Sequence, residues 1–167
     1  MIEGSITYTG GRGTVLIARF GYDHPAGLIF TAPCIRTAKI NTGGAVTYGD
    51  HGQIGELTGC IFSQFDGRLI VHFATDDAHA HLELDGEKLY GLPIVSVEAI
   101  SCLTCGRTIR SGGQPCPCVR AAPRVGISQM RITGVTLLPK THDEYLSEMK
   151  NILIADVGAS VLANLIF

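Results

Sequence analysis

Asp66-Gly67 stands between two apolar runs, Cys60-Ile-Phe-Ser-Gln-Phe65 before it and Arg68-Leu-Ile-Val-His-Phe73 after it. Asp-Gly readily takes the left-handed backbone angles of a tight turn between antiparallel strands, so the segment reads as a β-hairpin. The same pattern recurs along most of the chain, where 21 glycines punctuate short runs rich in β-branched residues. Such runs are strands joined by turns. Strands are expected at 5–8, 14–20, 27–31, 35–39, 53–64, 68–73, 94–100 and 130–138.

Two helices interrupt this pattern. Thr75-Asp-Asp-Ala opens with a cap-type residue and two acids, which suit the positive end of a helix, and a short helix is expected over 76–84. Thr141-His-Asp-Glu144 matches a capping box, in which the Thr and the Glu three residues later satisfy each other's backbone amides. Apolar residues then follow at intervals of three or four, through Tyr145, Met149, Ile152 or Leu153, Val157, Val161 and Leu165, giving a C-terminal helix over 141–167. The expected class is α+β, mainly β: a barrel-like antiparallel sheet flanked by a few helices, within one domain over 1–167. A Cys-rich loop is inserted at 102–118.

With 167 residues, 46% of them apolar, the chain is long enough to close one hydrophobic core. Its 13 basic and 15 acidic side chains leave a net charge of −2, too little positive charge to grip a phosphate backbone, so nucleic acid is not an expected partner. Met1-Ile-Glu-Gly lacks the basic-then-apolar order of a secretory signal. The apolar stretch 151–167 carries Asn151, Asp156, Gly158, Ser160 and Asn164, and reads as a packed helix rather than a membrane anchor.

Four of the six cysteines lie close together, as Cys102-Leu-Thr-Cys105-Gly106 and Cys116-Pro-Cys118. Two short knuckles of thiolates can surround one Zn²⁺ tetrahedrally at about 2.3 Å, and Gly106 lets backbone amides turn toward sulfur. The expected cofactor is a structural zinc held by Cys102, Cys105, Cys116 and Cys118. Disulfides, free thiols or a redox role are the other readings of this spacing. Such a four-Cys site is closed, so chemistry is sought elsewhere.

The histidines are His24, His51, His72, His79, His81 and His142. His79-Ala-His81 is a weak metal pair. His51 lies in Tyr48-Gly-Asp-His51-Gly-Gln-Ile-Gly55, at the mouth of a strand and between glycines that let other groups approach. No Gly-x-Ser-x-Gly elbow is present, which argues against an α/β-hydrolase. Ser96 lies in Leu92-Pro-Ile-Val-Ser96-Val-Glu98, where residues two apart share a strand face, so Ser96 and Glu98 point the same way. Within hydrogen-bond reach of each other, Ser96 and His51 form the nucleophile and base of acyl transfer; out of reach, Ser96 is a small residue in a packed strand.

Three stretches, taken in order, resemble the capsid maturation (prohead) proteases of tailed bacteriophages, which are related in fold to the herpesvirus assemblins. Asp50-His51-Gly-Gln-Ile-Gly55 is similar to the family's His followed by an Ile/Val-Gly strand. Gly91-Leu-Pro-Ile-Val95-Ser96-Val97 is similar to the strand that bears its nucleophile. Arg131-Ile-Thr-Gly134-Val-Thr136-Leu-Leu-Pro139 is similar to its late strand in phages of actinobacterial hosts. The likeness spans about residues 46–140. It implies a serine endopeptidase with His51 as general base and Ser96 as nucleophile. The enzyme would trim phage scaffold and major capsid proteins within the procapsid, in the host cytoplasm. Glu98 is assigned as orienter on the shared-face argument, and homodimerisation is implied by the likeness to assemblins. Gly91 lies farther from Ser96 than in the family, Gly134 stands where many relatives carry an acid, and the 102–118 loop is not general. Two alternatives follow: an inactive protease-fold capsid component, decoration or minor, and a zinc-stabilised binding module.

Overall fold

A computed structural model describes residues 4–19, 23–24, 28–63, 66–103, 105–110 and 125–139. Strand β8 (Arg68–Thr75) displays the alternation on which the sheet is built: Leu69, Val71 and Phe73 are buried, while Ile70, His72 and Ala74 between them are partly exposed. It pairs antiparallel with β7 (Gln53–Ser63), and Ser63 opposite Arg68 is the last pair. Gly67 closes the turn at φ +64°, donating its N–H to Ser63 O at 2.9 Å. The Asp-Gly hairpin read from the sequence is therefore present.

On the other edge of β8 lies β2 (Arg12–Arg19), followed by β1 (Ile6–Thr9). Strand β6 (Ala45–Tyr48) continues the sheet beyond β7 and leads to β11 (Val125–Pro139). Strand β11 organises the rest. Along one edge it pairs in parallel with β4 (Leu28–Phe30), β5 (Lys39–Ile40) and β6 in turn, and along the other it runs antiparallel to β9 (Leu89–Cys102). The two-residue β3 (Asp23–His24) pairs with β4, and β10 (Thr108–Arg110) with β9.

The sheet curls into a half-barrel. Its path returns on itself where Gly91 of β9 donates to Gly4 O, at 2.8 Å, beside the start of β1. A Cβ at Gly91 would fall 2.6 Å from the Val15 side chain, so the approach of β9 to β2 requires a residue without one. Inside the curl, Val15, Ile17, Val46, Ile54, Leu57, Phe73, Ile132 and Val135 are each at most 1% exposed. Each such side chain contributes on the order of 1.5–3 kcal/mol by leaving water. The mainly β, barrel-like class agrees with the sequence reading; the parallel pairings to β11 are what the sequence did not disclose.

Two elements differ from expectation. The strand expected at 35–39 is instead largely a helix, α1 (Ala32–Thr37), whose Thr31 side chain accepts from Cys34 N–H at 3.3 Å while Pro33 sits in the first turn. This cap outweighs the β-branched residues that suggested a strand. The helix expected at 76–84 is reduced to one 3₁₀ turn, Asp77–His79. Asp76 stands at its cap position without a side-chain cap bond. Downstream, Leu84 is buried and Leu82 packs partly against the core, an interval of two that a helix does not place on one face. The expected C-terminal helix over 141–167 lies outside the described residues. Among the described residues, no helix is long and apolar enough to cross a membrane.

Candidate functional site

His51 ends a 3₁₀ turn, Gly49–His51, between β6 and β7. Its ring is exposed and stacks on Tyr48 at 5.3 Å between centroids, with 22° between planes. Ser96 sits in the middle of β9 on the outward face, between buried Val95 and Val97. The register sets their offset along β11. Ser96 lies opposite Arg131 on β11, whereas Tyr48 lies opposite Leu137, six positions further along the same strand. At about 3.3 Å per residue this is an offset of roughly 20 Å along the strand, against the ~3 Å of a hydrogen bond. Because β6 runs parallel to β11, the His51 turn lies past Tyr48, on the side away from Ser96. The structure does not bring the expected nucleophile and base together.

The β9 residues level with β6 are Gly91, Leu92 and Pro93, opposite Leu137, Thr136 and Val135. None of the three carries a nucleophilic atom. At that level Thr47 Oγ1 donates to Thr136 Oγ1 at 3.2 Å, tying β6 to β11.

Ser96 and Glu98 do share the outward face, as the alternation required. Glu98 is engaged: its Oε1 lies 3.8 Å from Nε of Arg131, whose Nη1 donates to Asn41 Oδ1 at 3.1 Å. Both charged partners are more than one-third exposed, and an ion pair so hydrated contributes about 0–1 kcal/mol. Its carboxylate joins β9 to β11, and Arg131 in turn ties β11 to the segment after β5; the register keeps Glu98 far from the His51 turn.

The first cysteine knuckle is a well-formed turn at the end of β9. Cys102 N–H donates to Arg107 O at 2.9 Å and Gly106 N–H to Cys102 O at 2.8 Å, while Gly106 takes φ +75°. The Cys105 N–H then points at Cys102 Sγ, 3.5 Å away. Cys102 is buried and Cys105 is exposed. Cys116 and Cys118 lie outside the described residues, and among the described residues no group of three or more Cys, His, Asp or Glu side chains gathers around one point.

The remaining thiols are packing residues. Burial pushes the Cys34 thiol up to about 12, and burial also raises that of Cys60. His79 Nδ1 faces Asp76 at 3.9 Å, and His81 is exposed. His142 lies outside the described residues. His72, which the sequence gave no reason to select, lines an outer groove together with Arg12 and several threonines. Alternation alone puts His72 and Thr14 on the non-core faces of their strands, but their meeting depends on pairing that is not legible locally.

No protein-family model, curated protein or solved structure matches the chain.

Proposed function

We propose that this chain acts by binding rather than by hydrolysis: a capsid-protease-like barrel without an assembled catalytic dyad, retained as a component of a phage shell. The observation that carries this reading is the register of β11, which holds Ser96 six positions from the level of Tyr48 and the His51 turn. The absence of a nucleophilic atom on Gly91, Leu92 and Pro93, and the engagement of Glu98 with Arg131, point the same way. The partner class, phage major capsid and scaffold proteins, rests on the sequence resemblance.

The same reading gives the 102–118 loop a structural zinc. The Cys102–Cys105 knuckle supplies two ligands in a turn whose amide already faces sulfur. Cys116 and Cys118 complete a closed four-thiolate site by spacing. Held by these four cysteines, a metal would stiffen the end of β9 and its partner β10.

Active proteolysis, with Ser96, His51 and Glu98 in their expected roles, keeps one supporting observation: all three side chains lie outside the core. Co-expression with the neighbouring capsid and scaffold proteins, wild type beside Ser96→Ala, followed by intact mass of every chain, separates the two. Partners of full length in both, with this chain bound to assembled shells, are expected. Shortening of a partner that requires Ser96 overturns the binding reading.

A further inference from the structure

We propose that the groove on the outer face of β1, β2, β8 and β7 binds the oxyanion group of a small organic anion, with Arg12, Thr14 and His72 as its recognition residues. The groove encloses about 520 Å³ and lies on a different face from the core. Cross-strand register builds it in two rows. Thr7, Thr14, His72 and Gly59 stand opposite one another across four strands, and Thr9, Arg12 and Ala74 form the next row, which Glu56 of β7 completes outside the groove lining. With strands about 4.8 Å apart, side chains within a row are neighbours.

The groove owes its depth to a bulge. The β7–β8 register shifts between Leu57 and Gly59, so Thr58 is an extra residue brought to the groove wall. Gly59 then ends the His72 row with no side chain, and a Cβ placed there would meet nothing within 4 Å.

The lining is one-sided in chemistry. Four threonine hydroxyls, the Arg12 guanidinium and the His72 ring line the groove, and no carboxylate does. His72 Nε2 is buried and has no hydrogen-bond partner among the described residues. Arg12 is exposed and makes no ion pair among them. A guanidinium offers paired N–H donors, an imidazole one, and hydroxyls rotate to donate. An acceptor-only group with negative charge satisfies all of them, through charge-assisted bonds. Ile61, which also lines the groove and is 56% exposed, offers apolar surface to the body of the ligand. The ligand class is therefore a carboxylate or phosphate on an apolar frame. The inference uses none of His51, Ser96 or the cysteines, and stands independently of the proposed function.

The test is a titration of the full chain with phenyl phosphate, benzoate and inorganic phosphate, followed through the ring-nitrogen shifts of His72 in long-range ¹H–¹⁵N spectra. A saturable His72 shift with phenyl phosphate or benzoate is expected, stronger than with inorganic phosphate, and the tighter of the two organic probes identifies the oxyanion. Arg12→Gln, an exposed change that leaves the core intact, weakens binding by about tenfold or more, and Thr14→Val weakens it further. No saturable shift with any of the three probes, or a shift unchanged in Arg12→Gln, overturns the inference. So does equal binding of inorganic phosphate and phenyl phosphate, because it removes the role of Ile61.

Discussion

Asp66 shows how one side chain at a turn couples hairpin geometry to pH. The side-chain hydrogen bond from Arg68, reinforced by Ser63, holds its carboxyl below the usual carboxylate range. A carboxylate whose folded pKa is depressed stabilises the fold above its unfolded value and loses that contribution as pH falls through the folded value. Asp66→Asn is therefore expected to be less stable than wild type by a small, constant margin at neutral pH, with the gap closing below about pH 4. Urea melts of both proteins at several pH values check this; a gap that widens on acidification contradicts it. The turn was legible because Asp-Gly is a local signal. Individual residues were read correctly wherever the reason was local: Gly106 in the knuckle, and Ser96 with Glu98 on one face of β9. His72 was not, because its importance comes from Thr14 and Gly59 on two other strands.

At the scale of elements, hydrophobic alternation located most of the strands, and failed where two local signals competed. Thr31-Ala-Pro33 caps α1 although Ile35 and Thr37 favour strand; the cap prevails because it satisfies an amide and buries Cys34 and Ile35 at once. The acids at 76–77 suggested a helix start, but the segment offers its apolar residues at an interval of two, and only a single turn forms. The short β6 and β5 carry no signal of their own, being fixed by β11. The element with the sharpest chemical consequence is the β9–β10 knuckle. Protein purified without chelator is expected to carry about one zinc per chain by elemental analysis, with Cys102→Ser and Cys116→Ser each losing most of it. Full zinc in Cys116→Ser contradicts a site shared between the two knuckles.

For the whole molecule, β11 decides the architecture, and its decisions are invisible in the sequence. Val46 meets Val135, and Lys39 meets Arg131, across intervals that no local pattern encodes. The same register sets the distance between His51 and Ser96, which is why two residues that each fit a catalytic role by local context do not form a dyad. Closure of the curl depends on Gly91, where Val15 leaves no room for a Cβ. Gly91→Ala is expected to cost about 1–3 kcal/mol in a urea melt, with unchanged far-ultraviolet circular dichroism, because the strand must move away from β2. A neutral substitution shows that β9 does not close on β2 as described. The central proposal, that Ser96 is not a working nucleophile, is tested most directly by incubating the folded chain with a fluorophosphonate and measuring its intact mass. The account predicts no adduct on Ser96 in wild type; a stoichiometric adduct on Ser96 that disappears in His51→Ala contradicts it.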